Sequence, residues 1–232
     1  HDPTMLPLIV LLILVIIIFL PQFWVQRVIK KYSQTIDELP GTGGELAHHL
    51  VTRFELEDVS VEKTDIGNDH YDPESKTIRL SETHYDGKSL AAATIATHEF
   101  GHALQHHTNY KPLLLRTQLA KKAAVAEKIA SVILVSLPFT FVLVKVPVVS
   151  FIILLAGLTI MCLPIILHLF TLPVEFDASF NRALPILSEG NYIPDSAMPI
   201  ARKILSAAAL TYVSASLASL LNFYRWWAIL RR

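Results

Sequence analysis

Four stretches of this 232-residue chain run long without a formal charge: Met5 to Val25, Ile129 to Val144, Val146 to Val174 and Ile204 to Tyr224. A helix needs about 20 apolar residues to cross the hydrocarbon core of a bilayer. Runs like these therefore confine the chain to helices that cross lipid or bury one another. Hydrophobic residues make up 52% of the chain and charged residues only 17%. The expected architecture is mainly α, of the α+β kind: a four-span helical membrane protein carrying a small polar domain with a short β-sheet.

The residues HDPT at 1–4 read as a tag remnant, with Met5 as the natural start. The first span is expected over 5–25. Trp24 sits at its end, and Arg27, Lys30 and Lys31 follow it as an interfacial belt and anchor. A cleaved signal peptide has the opposite order, with basic residues first. Lys145 and Pro147 divide the next apolar region into a hairpin over 129–172, and Pro138 and Pro164 inside it are tolerable in lipid. The alternative is a core hairpin of a non-membrane fold. The Ala- and Ser-rich run 204–224 reads as a fourth span suited to close helix packing.

The polar chemistry is confined to 26–128, with a further helical segment at 173–203. Gly41 to Gly44 opens an amphipathic helix reaching about Arg53, Val59 to Lys63 alternates like a strand, and Tyr71 to Leu80 brackets a turn between two strands. Ser89 can cap the helix that follows. Arg27, Lys30, Lys31, Lys111, Arg116, Lys121, Lys122 and Lys128 all fall on the polar domain's side, which the positive-inside rule puts in the cytoplasm, although Arg225, Arg231 and Arg232 pull the other way. The net charge is zero, and no nucleic-acid-binding signature is evident. Cys162 is the single cysteine, so a metal would have to sit on His, Glu or Asp.

The capped helix contains ATHEFGHALQHH, Ala96 to His107. Residues four apart share a helical face, so His98 and His102 can hold one ion while Glu99 faces the same opening, the arrangement of a zinc peptidase. Zinc acidifies a water, and the glutamate takes its proton and passes it to the leaving amine. His106 continues the four-residue step, but eight residues of helix span about 12 Å, too far for His98 and His106 to share an ion. In the metzincin pattern the helix breaks at a glycine and a third histidine follows; Gln105 and Thr108 stand at those places here. His106 and His107 therefore read as exposed or interfacial.

A third ligand must come from elsewhere. Two antiparallel spans would return the chain to the side it left, so that TLPVEFDASFNRAL, from Thr171, can bring Glu175 beside the HEFGH helix, with Pro173 opening a helix. Spacing alone leaves the matter even between Glu175 as ligand and Glu175 with Asp177 as acids in a first helical turn. His168 is a rival ligand.

HYDP, IRLS, HEFGHALQH, LPVEFDAS and AAALTYV, in this order and with these apolar runs, closely resemble the YugP-type neutral zinc metallopeptidases, bacterial membrane proteins similar in pattern to the HtpX-type gluzincins. The resemblance covers essentially the chain from Met5. It implies a zincin-like catalytic domain with Zn2+ on His98, His102 and Glu175 and with Glu99 as general base. It also implies an extended protein or peptide substrate paired along Asn68 to Pro73, a segment that reads equally as an ordinary turn at Asp72-Pro73. HtpX-type enzymes carry an aspartate four residues after the ligand glutamate. Ser179 stands there in this chain, and Asp177 lies on another helical face. Tyr212 and Arg182, in segments matching the family, are candidates to stabilise the oxyanion. The expected protein is a zinc endopeptidase in the bacterial inner membrane, its catalytic domain facing the cytoplasm. The alternative is a catalytically silent zinc protein of the membrane that binds partners. A transporter is disfavoured because the runs carry almost no ionisable residue beyond Lys145 and His168. Natural substrate and oligomeric state have no recognisable signature.

Overall fold

The computed structural model describes residues 5–65, 69–144, 147–161 and 163–230. The tag-like residues 1–4, Asn68, Lys145 at the expected hairpin turn, Cys162, Arg231 and Arg232 lie outside the described residues.

Helix α1 (Met5–Tyr32) leads to α2 (Gly43–Arg53), which starts where expected because Thr42 and Glu45 form a capping box. Thr42 Oγ1 accepts from the Glu45 amide at 3.2 Å, and Glu45 Oε2 accepts from the Thr42 amide at 2.8 Å. Strands β1 (Ser60–Thr64), β2 (His70–Asp72) and β3 (Thr77–Ser81) form a sheet in the order β1-β3-β2. β3 is parallel to β1 and antiparallel to β2, with Tyr71 opposite Ile78. The two strands expected around the turn are β2 and β3. The short helix α3 (Glu82–Tyr85) follows directly and has no counterpart in the sequence expectations.

Helix α4 (Leu90–His107) is the centre of the molecule. Ser89 Oγ accepts from the Ala92 amide at 3.1 Å, the cap read from the sequence. Ala96, Phe100 and Ala103 pack with Leu50 of α2 and with Val61, Ile78 and Leu80 of the sheet. Leu90 and Ala93 meet Leu184 and Leu187 of α8 (Leu184–Glu189) and Ala201 and Leu205 of α9 (Met198–Leu230), while Ala91 meets Val28 of α1. Covered on several sides, α4 is buried nearly all round, its polar site residues included. It stops at Asn109, whose φ of 52° is left-handed, with the Tyr110 amide donating to Gln105 O at 2.9 Å and the Asn109 amide to His106 O at 3.0 Å.

The four expected spans are not found: among the described residues no helix is long and apolar enough to cross a membrane. The run 146–174 divides into α6 (Pro147–Met161) and α7 (Leu163–Phe176), of 15 and 14 residues. At 1.5 Å per residue each reaches only about 21 to 23 Å of the roughly 30 Å hydrocarbon core. Ile129 to Val144 is the second half of α5 (Lys111–Val144), whose first half carries Lys111, Arg116, Lys121, Lys122 and Lys128. The last run continues without a break from Arg202 and Lys203 inside α9, and the first runs on into Arg27, Lys30 and Lys31 of α1. These helices lie against one another, α1 on α9, α5 on α6 and α7, and α7 on α9.

Pro173 does not open a helix. It lies within α7, and the chain passes directly into a π-helical segment, Asp177–Ala183. Such segments widen the helix by a residue per turn and occur frequently at functional sites.

Candidate metal centre

Three side chains from two elements converge. His98 and His102 project from α4, and Glu175 from the last turn of α7; their ligand atoms all lie within 4.8 Å of one another. Glu175 Oε2 is 3.2 Å from His98 Nε2 and 3.3 Å from His102 Nε2. That oxygen is buried and has no hydrogen-bond partner among the described residues. Donors about 2.0 to 2.1 Å from one tetrahedral zinc ion stand about 3.3 Å apart. The residues therefore fit a zinc ion in spacing, donor type and burial. His168, half-buried on α7, is not part of the cluster.

Glu175 is 2% exposed. Burial raises its carboxyl, whereas His102 and His98, when they are protonated, lower it well below the usual carboxylate range. Its other oxygen, Oε1, accepts from Arg116 Nη1 at 2.9 Å. Glu99 is also buried, and there burial dominates: its carboxyl is pushed up to about 7, with His98 opposing and Glu175 and Asp69 assisting. The backbone amide of Tyr71 in β2 faces this carboxylate. A base with a pKa near the working pH both holds its proton and releases it readily.

The imidazoles are oriented from behind. His98 Nδ1 is 3.1 Å from Ser179 Oγ, and His102 Nδ1 is 2.9 Å from Gln105 Oε1. Ser179 thus occupies the position where the resembling enzymes carry an aspartate, and the π-helical backbone aims it at the ligand. Gly101 lets that backbone approach α4, because a Cβ there would stand 2.9 Å from Ala178 O.

Of the two oxyanion candidates, Tyr212 lies at the site. Burial first, then the charges of Glu175 and Glu99, push its phenol ionisation up. Arg182 is held elsewhere: its Nε donates to Asp177 Oδ2 at 2.7 Å, and its guanidinium lies over the Tyr110 ring. His106 Nδ1 is 2.8 Å from Tyr71 Oη, joining α4 to β2 outside the His98, His102 and Glu175 cluster, and His107 is exposed. Arg116 and Gln105 are the residues that sequence reasoning passed over. One read as a topological charge and the other as a departure from the metzincin pattern; a cation or an amide at a spacing set by tertiary structure leaves no local signal.

A family model described as "Putative neutral zinc metallopeptidase" matches residues 7–231. The chain is 36% identical over 208 residues, 89% of its own length and 88% of the relative's, to a protein of Bacillus subtilis (strain 168) named "Putative membrane protease YugP". No solved structure matches. With nearly the whole chain matched and a zinc-compatible trio of side chains at its centre, the protein belongs to this neutral zinc metallopeptidase family.

Proposed function

We propose that the protein is a zinc-dependent endopeptidase of the gluzincin type, with the ion held by His98, His102 and Glu175. The observation that carries this reading is the meeting of the three ligand atoms beside the buried carboxylate of Glu99. A zinc ion held by these residues would supply Lewis-acid activation of a water, lowering its pKa toward about 7. Glu99 takes the proton of the attacking water and returns it to the leaving amine. Tyr212 donates its hydroxyl to the developing oxyanion. Arg182 is assigned to holding Asp177 rather than to the oxyanion, because the carboxylate already engages it.

The substrate is an extended segment of protein or peptide. β2 pairs with β3, stands last in the strand order among the described residues, and turns the Tyr71 amide toward Glu99, which supports a substrate running along this edge. Pairing along that edge gives affinity with little demand on sequence. Exposed Phe19, Phe23, Phe151, Leu155 and Leu169 suit contact with lipid. Together with the relative's name as a membrane protease, they support a location at a bacterial membrane surface. A silent zinc-binding role has no need of a buried carboxylate at Glu99.

The test is a broad peptide-library digest with zinc-loaded wild type and Glu99→Gln. Cleavage by wild type should fall about 10²- to 10⁴-fold in the variant while bound zinc is unchanged. Stoichiometric zinc with no cleavage by either protein would favour the silent role.

A further inference from the structure

Gln105 is fully buried, and its amide faces three groups. Nε2 lies 2.9 Å from Val174 O and 2.8 Å from Asp177 Oδ2, while Oε1 lies 2.9 Å from His102 Nδ1. A backbone carbonyl and a carboxylate can only accept, so the nitrogen of the amide must face them. The oxygen is then left for His102. Because that oxygen can only accept, Nδ1 of His102 must carry the proton, and Nε2 keeps its lone pair toward Glu175 and His98.

The same amide fixes a second relationship. Val174 and Asp177 lie on either side of Glu175, so Gln105 ties α4 to the turn that carries the third ligand. Asp177 is itself fixed by Arg182 and by Asn181 Nδ2 at 3.1 Å. We infer that Gln105 is a positioning residue that sets both the tautomer of His102 and the register of Glu175 against it, so that the two halves of the metal site are formed before an ion arrives. This rests on the metal-centre reading above.

Two measurements on the full chain test it. In zinc-free protein labelled with ¹⁵N-histidine, at a pH of about 8 where imidazoles are ordinarily neutral, long-range ¹H–¹⁵N spectra should show His102 protonated at Nδ1. A neutral ring protonated at Nε2 alone overturns the inference. Zinc affinity by chelator competition should weaken about 10- to 100-fold in Gln105→Met, the range for loss of an outer-shell partner. A variant that folds and binds zinc within about twofold of wild type would equally overturn it. If the variant does not fold, the wild-type tautomer decides. Wild type that binds no zinc at all would instead sink the metal-centre reading, leaving the tautomer to be judged separately.

Discussion

Arg116 Nη1 and Glu175 Oε1 are 2.9 Å apart, which leaves Oε2 as the oxygen that faces His98 and His102. In the proposed site the guanidinium would thereby favour one-oxygen ligation by Glu175, and it offsets the charge of a carboxylate that is 3% exposed. Arg116→Ala should destabilise the zinc-free protein by about 1 to 3 kcal/mol, the scale for leaving a buried charge-assisted hydrogen bond unmade. The loss should be smaller with zinc bound, because the ion then neutralises the carboxylate. Thermal unfolding with and without zinc measures both; an equal loss in the two states would argue against this role.

Gly101→Ala separates local propensity from tertiary contact. In an exposed helix the change stabilises by up to about 1 kcal/mol. Here the added methyl meets Ala178 O at 2.9 Å, between the residues that hold Gln105 and His98. The π-helical backbone must move away from α4, at a cost of about 1 to 3 kcal/mol. Both stability and zinc affinity should fall. A variant as stable as wild type with unchanged zinc affinity would show that the close approach is not required.

Asp69 supplies a pH dependence through a residue outside the His98, His102 and Glu175 cluster. Its Oδ2 is 2.6 Å from His84 Nδ1, and its Oδ1 accepts from the Ser81 amide at 2.7 Å and lies 3.0 Å from Ser81 Oγ. Burial alone would raise the carboxyl, but the hydrogen bond and charge of His84, with the Ser81 contacts, bring it below the ordinary value. A carboxyl lowered on folding stabilises the protein above its unfolded pKa of about 3.9, and that stability is lost as pH falls through the folded value. Wild type should exceed Asp69→Asn by about 1 to 3 kcal/mol at neutral pH. The gap should close only below a pH of about 4. Denaturant unfolding across pH tests this, and a gap that is constant down to a pH of about 2 would contradict it.

The parts of the site that lie on one element were legible in the sequence. His98, Glu99 and His102 share a face of α4 because the helical period puts them there, and Thr42 and Ser89 announced their helices by cap chemistry. Glu175 was not settled by spacing. Only the way α7 lies against α5 and α9 brings it to α4, and that packing carries no periodic signal; the family resemblance pointed to it. The apolar runs misled for a related reason. Hydropathy reports that side chains avoid water, but not whether lipid or another helix covers them, nor that 146–174 breaks into two short helices. Ser179 stood out in the sequence only as a departure from the aspartate of the resembling enzymes, which left the partners of the imidazoles open; its reach to His98 depends on the π-helical geometry of Asp177–Ala183, which no propensity foretells.

Anomalous scattering at the zinc edge from crystals of the zinc-loaded protein shows most directly which atoms hold the ion. A single strong peak is expected about 2.0 to 2.2 Å from His98 Nε2, His102 Nε2 and Glu175 Oε2, with Oε1 still on Arg116. A peak ligated by His168 in place of Glu175, or a zinc-loaded protein with Glu175 turned away from both imidazoles, would contradict the account.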